Sequence, residues 1–216
     1  MLTYLSNSLF KNKKYDLSLE YAEKLKEGMD EFGRFLYDKY LFYYYSSLVY
    51  NYSEKDYDKA IEILNEAKDN EVIKKLPVYI VFVYLNLAVV HYEKGDFRNA
   101  LKNSVKLTLQ EEFNNLDIAF RIKIIFAELI IRYEVGDFDF LETKLAQVKK
   151  EFSKELKSED FRREKSILEI MGEMMFSQNI RADKKLVKKI RKLSEDTEKT
   201  DSDIISYGKW LNSKIE

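Results

Sequence analysis

A spacing constrains this chain more than any other feature. Four segments, Phe10 to Ser18, Tyr52 to Ala60, Tyr92 to Ala100 and Tyr133 to Leu141, each leave an aromatic residue, cross a short polar stretch and return to a second aromatic. The returning aromatics, Tyr15, Tyr57, Phe97 and Phe138, stand 42, 40 and 41 residues apart. A period of this size marks a supersecondary unit repeated along the chain. The unit reads as a helical hairpin. One aromatic ends helix A, Gly95 or Gly136 supplies a left-handed turn, and Asp96 or Asp137 caps helix B. The next aromatic is expected to pack inward. A small residue three positions on, Ala60 or Ala100, is expected to let the two helices approach closely. Each hairpin leaves an apolar face that only a neighbour can cover, so such units must stack.

Composition agrees with helix. One proline and six glycines in 216 residues leave few breaks, and the long stretches between them are rich in helix formers. With 45% hydrophobic residues the chain can bury a core as one domain or a short array. The absence of cysteine excludes disulfides, thiolate metal sites and cysteine nucleophiles. The 37 basic and 38 acidic side chains nearly cancel, so no net field calls for nucleic acid or an anionic membrane. The most apolar segment, Val78 to Val90, meets His91, Glu93 and Lys94 before it could span a bilayer and reads as a buried helix. The first residues lack the basic start and apolar core of a signal peptide, which points to a cytoplasmic protein.

The repeat resembles the tetratricopeptide repeat, whose pattern sets a large residue, Leu-small and Tyr on helix A before Gly, Tyr and Ala. The third copy matches through Tyr84, Leu87, Ala88, His91, Gly95, Phe97 and Ala100, and the second through Tyr44, Asp56, Tyr57, Ala60 and Ala67. The fourth keeps Tyr133, Gly136, Asp137 and Phe138, with Leu141 where a small residue is expected; the first keeps Phe10 and Tyr15. The likeness runs over about residues 2 to 156. The period exceeds the family's ~34 residues and implies helices about one turn longer.

The resemblance implies an all-α, right-handed superhelical solenoid of stacked antiparallel hairpins. Residues 1–156 would hold four hairpins, the first incomplete because Met1 falls inside its helix A, which suggests the C-terminal part of a longer protein or a further covering element. Residues 157–216 would hold a divergent fifth hairpin, with helices in Asp160 to Asn179 and Asp183 to Glu198, and a capping helix in Asp201 to Ile215 that carries the only tryptophan, Trp210.

In the family the A helices line a concave face, and the register places this chain's groove positions by analogy. They are Phe42, Tyr45, Ser46, Val49 and Tyr52; Phe82, Leu85, Asn86, Val89 and Tyr92; and Lys123, Phe126, Ala127, Ile130 and Tyr133. Asn86 and Lys123 match a carboxylate clamp found in part of the family, but Tyr45, Val49 and Ala127 stand where further clamp residues belong. The groove is therefore expected to be aromatic and apolar, suited to a partner helix or extended peptide. The same rings would serve as core if longer helices bury more of their surface.

No catalytic, metal or cofactor set emerges. His91 is the only histidine and stands at a packing position of the repeat. The pairs Glu111-Glu112 and Glu159-Asp160 read as solvated helix ends, and Gly95 and Gly136 belong to turns rather than to a phosphate loop. Arg181, Lys184, Lys185, Lys188, Lys189, Arg191 and Lys192 surround the Leu186, Ile190, Leu193 stripe as a solvated face, with an acidic or phosphate partner as the sharper reading. The expected function is a non-enzymatic scaffold that binds a partner protein or peptide, with no membrane, nucleic acid or cofactor. The alternative is a peptide-sensing module controlling an attached effector domain.

Overall fold

The computed structural model describes residues 1–31, 37–197 and 203–216. No strand occurs among them, and the chain is all-α, with helices packed in consecutive pairs. It divides into two compact units, Met1–Leu116 and Asp117–Glu216. The fourth hairpin thus groups with the C-terminal elements rather than with the first three.

The first unit holds α1 (Leu2–Lys11), α2 (Tyr15–Glu31), α3 (Tyr37–Ser53), α4 (Tyr57–Asp69), α5 (Pro77–Glu93) and α6 (Phe97–Thr108). Each helix packs on the next, and α3 also touches α1 and α5, so the odd-numbered helices form one layer. The second unit holds α7 (Ile118–Val135), α8 (Phe138–Glu151), α9 (Arg162–Phe176), α10 (Lys184–Thr197) and the short α11 (Tyr207–Asn212). The expected terminal helix over Asp201 to Ile215 is only six residues long, and Asp201 lies outside the described residues. Among the described residues no helix is long and apolar enough to cross a membrane.

The hairpin turns follow the repeat. Tyr15, Tyr57, Phe97 and Phe138 are the first residues of α2, α4, α6 and α8. Gly95 and Gly136 adopt φ of 81° and 80°, where a Cβ would be strained. In the first turn Lys13 takes this conformation at φ 58°. In all three the chain closes by a bond from the residue after the left-handed one to a carbonyl five back, as in Asp96 N–H to His91 O at 2.8 Å. Asp56 and Asp96 cap their helices by accepting from Lys59 N–H and Asn99 N–H. Asp137 makes no such cap and instead accepts from Arg132.

The returning aromatics do not pack inward. Tyr57 is 37% and Phe138 42% exposed, and Tyr15, Phe97 and Phe138 lie beside the last aromatic of helix A, with centroids 5.8, 5.5 and 5.4 Å apart. The reason is position: a first-turn residue sits at the hairpin's rim, and the residue three on points to the core. Ser18, Ala60, Ala100 and Leu141 are all fully buried. Where that residue is Ala100, α5 and α6 pack closely; where it is Leu141, α7 and α8 approach one another less closely.

Two ionic ties recur at the repeat period. Lys55 in the second turn pairs with Asp16, and Lys94 in the third pairs with Asp58. Arg98 stands where the next aspartate of this series would be. A second regularity runs through Asn51, His91 and Arg132, each six residues before the returning aromatic. His91 Nδ1 lies 3.1 Å from the capping Asp96, and Arg132 bridges buried Glu128 and Asp137 at 2.8 Å each. His91 is thus a packing and turn residue. Asn99, by side chain and backbone, together with His91 holds the Asp96 carboxyl below its ordinary range.

Candidate functional site

The α3 sequence is aromatic almost all round, and packing sorts it into two faces. Leu41, Tyr44, Tyr45, Leu48 and Val49 point into the core of the first unit. Tyr44 OH and Tyr45 OH donate to Glu23 and Glu66 at 3.1 and 2.9 Å, and burial pushes both phenols up. On the other side Tyr40, Tyr43, Ser47 and Tyr50 follow one another at helical spacing, with Tyr43 and Tyr50 each 42% exposed.

This second face forms one wall of a recess of ≈ 290 Å³ whose opposite wall is α1, through Thr3, Tyr4, Asn7 and Phe10. Its floor is a buried hydroxyl network. Ser6 Oγ donates to Ser18 O (2.9 Å), Ser18 Oγ to Ser6 O (2.8 Å), and Asn51 Nδ2 to Ser18 Oγ (2.9 Å) and Ser47 O (2.8 Å). Ser6, Ser18 and Asn51 are at most 1% exposed, and Asn51 Oδ1 has no hydrogen-bond partner among the described residues. Buried polar groups satisfied by one another fix the register of the helices that carry them. No side chain lining the recess is charged.

The wall continues into a chain of rings. Tyr50 lies 5.9 Å from Phe10 and edge-on to Phe82 at 6.1 Å; Phe82 meets Phe42 at 4.8 Å, and Phe42 stacks on Tyr79 at 4.1 Å and 11°. These offset and edge contacts are the favoured geometries of aromatic pairs. An apolar recess lined by Leu2, Leu25 and Met29 adjoins it, sharing Met1, Thr3 and Tyr40.

Of the groove residues expected from sequence, Phe42 and Ser46 line the recess and Phe82 joins the ring chain. Tyr45 and Val49 are core, and Ser46 is buried with its hydroxyl donated to Phe42 O. Tyr52 packs against the core from its edge, Leu85 and Val89 are half-buried, and Tyr92 lies beside Phe97. Asn86 donates its amide to Phe82 O of its own helix at 2.8 Å. In the second unit Phe126, Ala127 and Ile130 are buried, and α11 meets Phe126 on this helix. Tyr207 lies 6.3 Å from Phe126, and Trp210 meets Tyr133 edge-on at 5.6 Å. Trp210 Nε1 donates to Glu134 at 2.7 Å, and Lys214 pairs with the same carboxylate. Lys123 is half-buried, and its charge acts on Glu164 and Asp203. The α7 face expected to receive a partner therefore receives the chain's own C-terminal helix.

Sequence reading missed Tyr4, Tyr40, Tyr43, Tyr50 and Tyr79. The spacing Tyr40, Tyr43, Tyr50 is the signal that finds the first face, because it repeats a helical surface stripe shifted by one residue from the core stripe.

Neither a protein-family model, nor a curated protein, nor a solved structure matches the chain. The site therefore stands on its own geometry.

Elsewhere, Glu159, Asp160 and Glu111 are exposed in short 3₁₀ turns. Along α10, Lys184, Lys188, Arg191 and Lys192 are exposed, while Lys189 pairs with Glu173 at 2.6 Å. Among the described residues no group of three His, Cys, Asp or Glu is placed to hold a metal ion.

Proposed function

We propose that this protein is a non-enzymatic interaction module that holds a peptide segment of a partner protein on the aromatic face of its first unit. The single observation that carries this reading is the ring chain Phe10, Tyr50, Phe82, Phe42 and Tyr79 beside an open recess, with Tyr4, Tyr43 and Tyr50 left 82%, 42% and 42% exposed. Exposed aromatic surface of this kind marks contact sites, because rings bring large area with few rotamers to freeze. The recess offers no carboxylate, imidazole or ammonium side chain, so its chemistry suits recognition rather than proton transfer. The tetratricopeptide-like resemblance belongs to the same reading, supported by the recurrent hairpin turns and the sequence pattern.

The test is selection of binders from a random peptide display library, with the selected peptides then measured against Tyr43→Ala/Tyr50→Ala. Circular dichroism of the variant should match the wild type, since both side chains are partly exposed. Affinity for the selected peptides should fall about tenfold or more. Peptides that bind the variant as tightly as the wild type would remove the face from the function.

A further inference from the structure

Resting on that peptide-binding reading, we propose that the segment held in the recess is proline-rich and adopts the polyproline II conformation. No lining side chain carries a charge, and the charged group at the wall is the Met1 α-ammonium, so a cationic motif finds no counter-ion there. What the walls do offer is hydroxyls. Tyr4, Tyr40, Tyr43 and Tyr50 all line the recess, and their phenols bond to no described residue, whereas those of Tyr44 and Tyr45 on the core side are taken by Glu23 and Glu66.

A site of flat rings and free hydroxyl donors selects among peptide conformations. A helix has satisfied most of its own carbonyls and makes no use of donors aimed at backbone. A β-strand needs a backbone edge to pair with, and both walls are α-helix. Polyproline II has no internal hydrogen bonds, so its carbonyls are open to donors, and its proline rings lie flat on aromatic faces. The dimensions agree. Tyr43 and Tyr50 are seven residues apart on one face of α3, about 10 Å along the axis at ~1.5 Å per residue. One turn of polyproline II advances about 9 Å. Prolines three apart would then meet the two rings in succession.

The rings are also held ready. Tyr50 is braced by Phe10 and Phe82, and Tyr43 by Phe42 at 6.0 Å, so little side-chain freedom is lost on binding. Polyproline II is itself stiff before it binds, which lowers the ordering cost on the peptide's side.

The experiment is an NMR titration of the full chain carrying ¹³C-labelled tyrosine, with acetylated decaproline amide and, separately, with a leucine-rich amphipathic helical peptide. Decaproline is expected to shift the ring signals of Tyr43 and Tyr50. Tyr43→Ala and Tyr50→Ala should each weaken its binding about tenfold. Tyr50→Phe, which keeps the ring and removes the donor, should weaken it several-fold, and Tyr44→Phe should leave it unchanged. Saturating decaproline without these shifts, or binding that survives Tyr43→Ala and Tyr50→Ala, overturns the inference. If the helical peptide shifts Tyr43 and Tyr50 and decaproline does not, the polyproline assignment falls while peptide binding at this face stands. If neither shifts them and peptide display also selects nothing sensitive to Tyr43 and Tyr50, both fall.

Discussion

The helices α3 and α7 hold the same place in their hairpins, yet they meet opposite fates. On α3 the rings of Tyr43 and Tyr50 look out over a recess; at the matching positions of α7 Ile124 and Ile131 are buried, and Tyr133 lies against Trp210. Within the second unit the chain has supplied its own occupant. The α11 segment brings Tyr207 to Phe126, sets the Trp210 indole on Tyr133 and hydrogen-bonds Glu134. The chemistry of the two faces differs accordingly. Glu134 is an anionic acceptor that suits an indole N–H, while the recess of the first unit holds no carboxylate and is rich in hydroxyls. An aromatic helix face is thus a surface that takes a segment, and the polar groups beside the rings decide which segment.

Four substitutions probe this contrast, and the largest effect belongs to the covered face. Trp210→Ala should destabilise the protein by about 3–5 kcal/mol, measured by urea unfolding followed with circular dichroism, because it opens a cavity against Tyr133 and strips Glu134 of a donor. A loss below ~1 kcal/mol would mean that α11 is not seated on α7. Tyr207→Phe should act in the other direction, adding about 1 kcal/mol. The Tyr207 hydroxyl is buried with no hydrogen-bond partner among the described residues, and removing it relieves that desolvation.

The third concerns acidity around α11. Burial pushes the Glu164 carboxyl up, Asp203 adds to the rise, and Arg163 and Lys123 oppose it. A carboxyl raised in the native state favours folding below its ordinary range, and that contribution is lost as pH climbs from about 4 through the raised native value. Glu164→Gln should therefore be more stable than the wild type at pH 7, with the difference gone near pH 4. Thermal melts at the two pH values check this, and an equal difference at both would assign the effect to packing. The smallest effect belongs to the open face. Tyr43→Ala should change unfolding stability by no more than about 0.5 kcal/mol, because its ring is an exposed side chain outside the core. A loss comparable to that of Trp210→Ala would show that the two faces are both core and that the contrast is false.

The fold was largely legible because its punctuation is chemical. Gly95 and Gly136 state a left-handed turn in residue type, Asp56 and Asp96 state a cap, and the buried Ser18, Ala60 and Ala100 recur on schedule. Lys13 takes the same left-handed turn without any residue-type signal, and the turn at Glu54 to Asp56 uses no left-handed residue at all among those described. The site was less legible. On α3 and α7 most positions are aromatic or aliphatic, so helical periodicity has little polar contrast with which to orient the face. Tyr43 and Tyr45 are two residues apart and chemically identical, yet one faces the recess and the other the core. The covering of α7 depends on a hydrogen bond between residues 76 apart in sequence, beyond the reach of any local pattern. The stripe through Tyr40, Tyr43, Ser47 and Tyr50 was available to sequence reading, but the family register pointed one residue away from it.

The placement of Trp210 has a spectroscopic consequence. It is the only indole in the chain and lies in the second unit, while the first unit, with α3 carrying eight of its aromatic residues, is lit by tyrosine and phenylalanine alone. Intrinsic emission excited at the red edge of the indole band is therefore a private reporter of the second unit. Denaturation curves from that emission and from helical ellipticity coincide only when both units melt together, so a single unlabelled sample reads out the cooperativity between them.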